Sequence, residues 1–225
     1  MPAVSCPTSC RLRKAAFLLA LLPLPGQAAP SEEDLFFKDI SEVNEGDLRF
    51  LTQTPDRPVH HQRNRILLSR DSLKTGWVQL EQCHQNLDAV ASSQIVFSQN
   101  RVRNLRVLRS ENVGRAWVVG NTVQMEDIRH DALLCLSTES RALNMEPPGS
   151  YVLHNGPYQR RFLDGYYPMR VTQTVNLGDS GLRFDSVDPP VQPGFSFHLG
   201  ANEVGFDTWF EGKLVTNVRF TAAPH

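Results

Sequence analysis

Short chemical motifs are missing from this sequence. It holds no glycine-rich phosphate loop, no nucleophile elbow and no HExxH run, which excludes the local signatures of nucleotide binding, serine hydrolysis and zinc proteolysis. Catalysis by groups that meet only in space is not excluded, because such groups need no contiguity. No internal repeat, Gly/Ser linker or low-complexity block is present. No apolar stretch reaches the roughly twenty residues of a membrane-crossing helix, so no transmembrane segment is expected in the mature chain.

Cysteine is scarce, with four in 225 residues, and two of those stand in the first ten positions. There Arg11, Arg13 and Lys14 precede an apolar run from Ala15 to Leu24, followed by Pro25, Gly26 and small residues. That order is the order of a secretory signal peptide over residues 1–28, cut after Ala28, and its brevity looks bacterial. No cysteine follows the small-residue site, where lipid attachment would need one. The expected destination is the periplasm or beyond.

Removal of this leader would leave Cys83 and Cys135 as the only thiols, in a compartment where disulfides persist. A bridge between them is expected. Their separation matches no CxxC redox pair and no zinc pattern. The leader also holds three of the 23 basic residues and none of the 24 acidic ones, leaving 20 basic against 24 acidic, a formal charge near −4. That balance argues against nucleic acid as a partner. Arg101, Arg103, Arg106 and Arg109 alternate with apolar residues and read as the solvent side of a strand whose phase slips near Asn104.

Residues 29–62 are acidic and polar, a loosely structured lead-in with room for one or two short strands. From residue 63 to 225 strand signals dominate. "GLRFDSV", "FSFHL", "VTQTVNL" and "KLVTNVRF" alternate with a period of two, the pattern of half-buried strands. Gly120-Asn121 lies between two apolar runs as a two-residue hairpin turn, and "FEGKL" reads as a reversal around Gly212. Helical spacing competes in two places: Leu80, Cys83, Leu87 and Val90 over residues 79–91, and Met125, Ile128, Ala132 and Leu136 over residues 125–136. The expected fold is all-β, an antiparallel sandwich or barrel-like arrangement with one or two short helices at those places.

The densest cluster of recognition chemistry is "HNGPYQRRFLDGYYPMR". Asn155-Gly156-Pro157 reads as one turn and Asp164-Gly165 as a second, with a hairpin between. Arginine forks and tyrosine rings suit carboxylates, sugars or peptide backbones. Tyr158, Arg160, Arg161, Asp164, Tyr166, Tyr167 and Arg170 are therefore the candidate binding residues. Arg160 and Arg161 are expected to face solvent or pair with Asp164, and Tyr166 to sit on an exposed tip.

Histidine shows no ligand spacing, so neither a metal nor any other cofactor is expected. His60 and His61 are adjacent in a loop, where neighbouring side chains point apart. The leading reading is an exported, non-catalytic envelope protein that binds a protein, a glycan or a surface. The alternative is a periplasmic hydrolase or metal enzyme with a site at one end of the sandwich, built from some of His130, Asp131, His154, Asp164 and His198.

Overall fold

The structure, a computed structural model, describes residues 44–146 and 149–222; the leader and the first part of the lead-in, residues 29–43, lie outside the described residues. Period-two alternation decides most elements. In β2 (His61–Leu67) Gln62, Asn64 and Ile66 turn inward, and in β11 (Met169–Asn176) Met169, Val171, Gln173 and Val175 do. β14 (Glu203–Glu211) buries Val204, Phe206, Thr208 and Phe210, while β15 (Leu214–Ala222) buries Leu214, Thr216, Val218 and Phe220.

Two sheets result. The larger runs β1 (Arg49–Leu51), β14, β11, β2, β3 (Trp77–Leu87), β6 (Thr122–Arg141), with β13 (Ser196–Leu199) sharing the outer edge of β14 with β1. Strand β4 (Ser92–Val96) continues the β3 side of β6, and β5 (Val102–Val119) pairs along its other side. The smaller sheet runs β12 (Leu182–Asp188), β15, β8 (Ser150–Tyr158), β7 (Leu143–Met145). A two-stranded ribbon, β9 (Arg160–Phe162) with β10 (Gly165–Tyr167), follows β8. All named pairs are antiparallel except β2 with β11.

The sheets pack face to face as a sandwich, and neither closes into a barrel. Ile66, Val175 and Val204 of the larger sheet meet Leu153, Val218 and Phe220 of the smaller. Nearby, Phe206 and Phe210 meet Leu214 and Tyr158. Burying each such phenylalanine contributes roughly 1.5–3 kcal/mol. No helix among the described residues is long and apolar enough to cross a membrane.

Both segments with helical spacing are strands, β3 and β6. Cys83 and Cys135 stand directly opposite one another across them, 4.1 Å apart at Cα, and are disulfide-bonded. Bulges explain the misleading period. Asn86, Asp127 and Asp131 adopt left-handed φ of 53°, 52° and 57°; the β3–β6 register slips at Asn86, and the buried set of β6 changes phase once, from Val123 and Met125 to Ile128, Ala132 and Leu134. Apolar side chains then recur at intervals of three and four although the chain is extended. Asn104 (φ 57°) marks a similar slip in β5, where the arginine stripe changes phase.

Among the described residues the one α-helix is α1 (Arg70–Thr75), which lies outside both stretches with helical spacing. Ser69 and Ser72 cap its start reciprocally, and Gly76 ends it at φ 75°. The reversals at Gly120 and Gly212 are present. Asn155-Gly156-Pro157 is no turn: it lies inside β8, where the pairing with β15 slips between Leu214 and Thr216. The second hairpin is real, but its turn residues are Leu163 and Asp164, one position earlier than expected, with Gly165 already paired to Phe162.

Candidate functional site: a polar-walled cleft

Strand register brings the polar inward residues side by side. Gln173 of β11 stands opposite Asn64 of β2, and Asn64 opposite Gln82 of β3, so three carboxamides form one row across three strands. The next row sets Gln62 beside His84. All five are buried.

Their hydrogen bonds run in a fixed sense. Asn64 Oδ1 accepts from Gln62 Nε2 at 3.2 Å and from Gln82 Nε2 at 3.1 Å. Asn64 Nδ2 donates to the Tyr158 hydroxyl at 3.1 Å, which donates to Gln173 Oε1 at 3.0 Å. Tyr158 comes from β8 in the facing sheet, and burial raises its phenol above the usual tyrosine range.

His60, just before β2, meets His84 with its Nε2 2.9 Å from His84 Nδ1. Burial pushes the His60 pKa down to about 4; Asp88 opposes that shift, and Arg160 and His61 add to it. Burial, then the neighbouring His60, lowers His84 as well. Both rings are therefore neutral near pH 7, and one hydrogen is shared between the facing nitrogens. At the rim Arg160 forms a two-pronged ion pair with Asp88, Nη2 to Oδ1 at 2.6 Å and Nε to Oδ2 at 3.3 Å.

These groups border a cavity of about 740 Å³. One polar wall comes from β2, β3 and β8, with Ser93, Gln94, Arg101 and Arg161 elsewhere on the lining, and the apolar lining includes Leu87, Ile95, Phe97, Met125 and Ile128, which belong to a third core cluster around β4 to β6. Three polar atoms along it are buried without a hydrogen-bond partner: Gln82 Oε1, His84 Nε2 and Asn155 Nδ2. Buried polar atoms are nearly always paired, so unpaired ones gathered on one cavity mark it out.

The sequence-derived binding residues divide. Tyr158, Arg160 and Arg161 line the cavity. Asp164, at the β9–β10 turn, accepts from the Tyr167 hydroxyl, and Tyr167 packs edge-on to Phe162 at 5.3 Å. Arg160 therefore pairs with Asp88 rather than Asp164. Tyr166 is buried, not on an exposed tip; its backbone N–H donates to Asn44 O and the Lys213 ammonium lies 5.3 Å from its ring. Arg170 points to the other face of the sheet, bonded to Asp207 and stacked 4.3 Å over Trp209.

The alternative group is not assembled. His154 belongs to β8 and pairs with Asn217 Oδ1 at 2.8 Å, His130 and Asp131 are exposed on β6, and His198 is exposed on β13. Among the described residues no group of three or more His, Cys, Asp or Glu side chains is placed to hold a metal ion. His60 and His61 do point apart, His61 Nε2 lying 2.8 Å from Thr172 Oγ1 on the outer face. Gln62, Asn64, Gln82, His84 and Asp88 were missed by sequence reasoning. Their signal was phase: Gln62 and Asn64 fall four and two positions from Ile66, on its inward side.

Comparison of the chain with protein-family models, with curated proteins and with solved structures finds no match.

Proposed function

We propose that this chain is an exported, non-catalytic binding protein of the cell envelope, and that its partner is held in the cleft between β2–β3 and β8–β9. One observation carries the reading: Gln82 Oε1, His84 Nε2 and Asn155 Nδ2 are buried and unpaired along an open cavity. Each such atom costs about 1–3 kcal/mol when left unsatisfied, a cost that a bound partner recovers.

The hydrogen bonding supports binding over catalysis. His60 and His84 bond each other, His84 Nε2 has no hydrogen-bond partner, and the Asp88 carboxylate is held by Arg160. On the outer face Thr172 gives its hydroxyl hydrogen to Asp207, so His61 faces an oxygen that has no hydrogen left to surrender. Export is supported by the leader pattern, and the Cys83–Cys135 bridge fits an oxidising compartment.

The test is to incubate the purified mature protein with a solubilised envelope fraction and weigh the complexes by native mass spectrometry. The expected result is a ligand recovered unchanged from the wild type and absent from His84→Phe, with both proteins equally folded by circular dichroism. Conversion of the ligand to a product of different mass, or equal retention by the variant, overturns the reading.

A further inference from the structure

We infer that the cleft takes a neutral, hydroxyl-rich ligand, a saccharide whose hydroxyl edge lies on the carboxamide and imidazole wall; this rests on the binding reading above. The unpaired atoms define the chemistry. Gln82 Oε1 can only accept and Asn155 Nδ2 can only donate. The relay through Asn64 fixes Gln82, since its Nε2 must donate to Asn64 Oδ1.

His84 Nε2 carries a hydrogen or a lone pair according to which ring supplies the hydrogen shared with His60. A hydroxyl donates one hydrogen bond and accepts others, so it meets all three atoms in either tautomer. A peptide N–H or C=O has one role and matches His84 in only one of them.

Charge and polarity exclude other classes. Both imidazoles on this wall are kept neutral by burial and Arg160 is committed to Asp88, while Arg101 and Arg161 also line the cavity. An anion seated on the Gln82 and His84 groups would gain no charge partner from those groups themselves. An acyl chain would seal the three polar atoms away from water for good. On the β8 side an extended peptide would meet Pro157, which has no N–H to pair with, within the stretch where the register slips. The apolar lining from Phe97, Ile95 and Met125 suits the C–H faces of sugar rings, and the volume falls within the roughly 300–1,000 Å³ of small-molecule sites.

The experiment titrates ¹⁵N-labelled mature protein with two neutral disaccharides, maltose and N,N′-diacetylchitobiose, beside glucuronate and decanoate. At least one neutral disaccharide is expected to shift the side-chain amide signals of Gln82 and Asn155 saturably in the wild type. Gln82→Leu and His84→Phe should weaken that binding about 10-fold or more, while Arg183→Ala on the exposed face of β12 leaves it unchanged. If neither disaccharide moves those signals but decanoate or glucuronate does, the ligand class is wrong and the cleft remains a binding site. If no probe moves them and no envelope component is retained by the wild type, the ligand class and the binding reading fall together.

Discussion

The Tyr158 hydroxyl joins the two sheets: it accepts from Asn64 Nδ2 at 3.1 Å and passes its own hydrogen to Gln173 Oε1 at 3.0 Å. It is the one cross-sheet member of a carboxamide relay that otherwise runs within the larger sheet. Tyr158→Phe keeps the ring and removes the bridge, leaving a buried donor and a buried acceptor unpaired. The expected cost is about 1–3 kcal/mol, read as a lower urea midpoint with an unchanged slope. An unchanged midpoint would show that the relay re-pairs without the hydroxyl.

The paired histidines set an acid limit. His60 has its pKa pushed from 6.5 to about 4 by burial, so between those values the unfolded chain binds a proton that the folded chain refuses. Stability is therefore fully present above about pH 6.5 and falls as the pH drops towards 4. This histidine alone is worth on the order of 3 kcal/mol over that window. His84 is shifted the same way, so the melting temperature of the wild type should fall steeply with acid, and His60→Phe should flatten the curve. Parallel curves would refute the assignment.

Much of the sandwich was legible because alternation is a local signal: Val171, Val175, Val218 and Phe220 declare their inward face within a few residues. Bulges broke that legibility. The buried face of β6 changes phase between Met125 and Ile128, at Asp127, and nothing in the immediate neighbours says which asparagine or aspartate will go left-handed. The cleft was hidden for a different reason. Gln62, Asn64, Gln82 and His84 look like surface residues by type, and only the pairing of β2, β3 and β11 shows them to be one buried group. The 158–170 stretch drew attention by composition, yet the fold sends Arg170 to the opposite face and buries Tyr166.

The β9–β10 ribbon separates packing from chemistry. Tyr166 is buried, so Tyr166→Ala should cost about 3 kcal/mol or more, as for other large aromatic deletions. Gly165 holds φ at 131°, a conformation that a β-branched residue resists, and Gly165→Val should cost about 1–3 kcal/mol. Arg161 is exposed, and Arg161→Ala should stay within about 0.5 kcal/mol. Thermal melts of the three variants check this order. A stable Tyr166→Ala protein beside an unfolded Arg161→Ala one would reverse the assignment of which side chain anchors the ribbon.

The Cys83–Cys135 bridge ties the fold to the expected route of the chain. It closes a loop of 52 positions between neighbouring strands, which the chain-entropy model values at about 4 kcal/mol. Both residues are already held opposite one another by the β3–β6 ladder, so reduction should lower the melting temperature without abolishing the sheet. Protein recovered after export should begin at Ala29 and show one linked peptide pair when mapped without reductant. The same chain expressed in the cytosol without residues 1–28 should carry two free thiols and regain the higher melting temperature on air oxidation. Recovery of Met1 on the exported protein would remove the leader assignment. Alkylation of both thiols in oxidised native protein would remove the bridge.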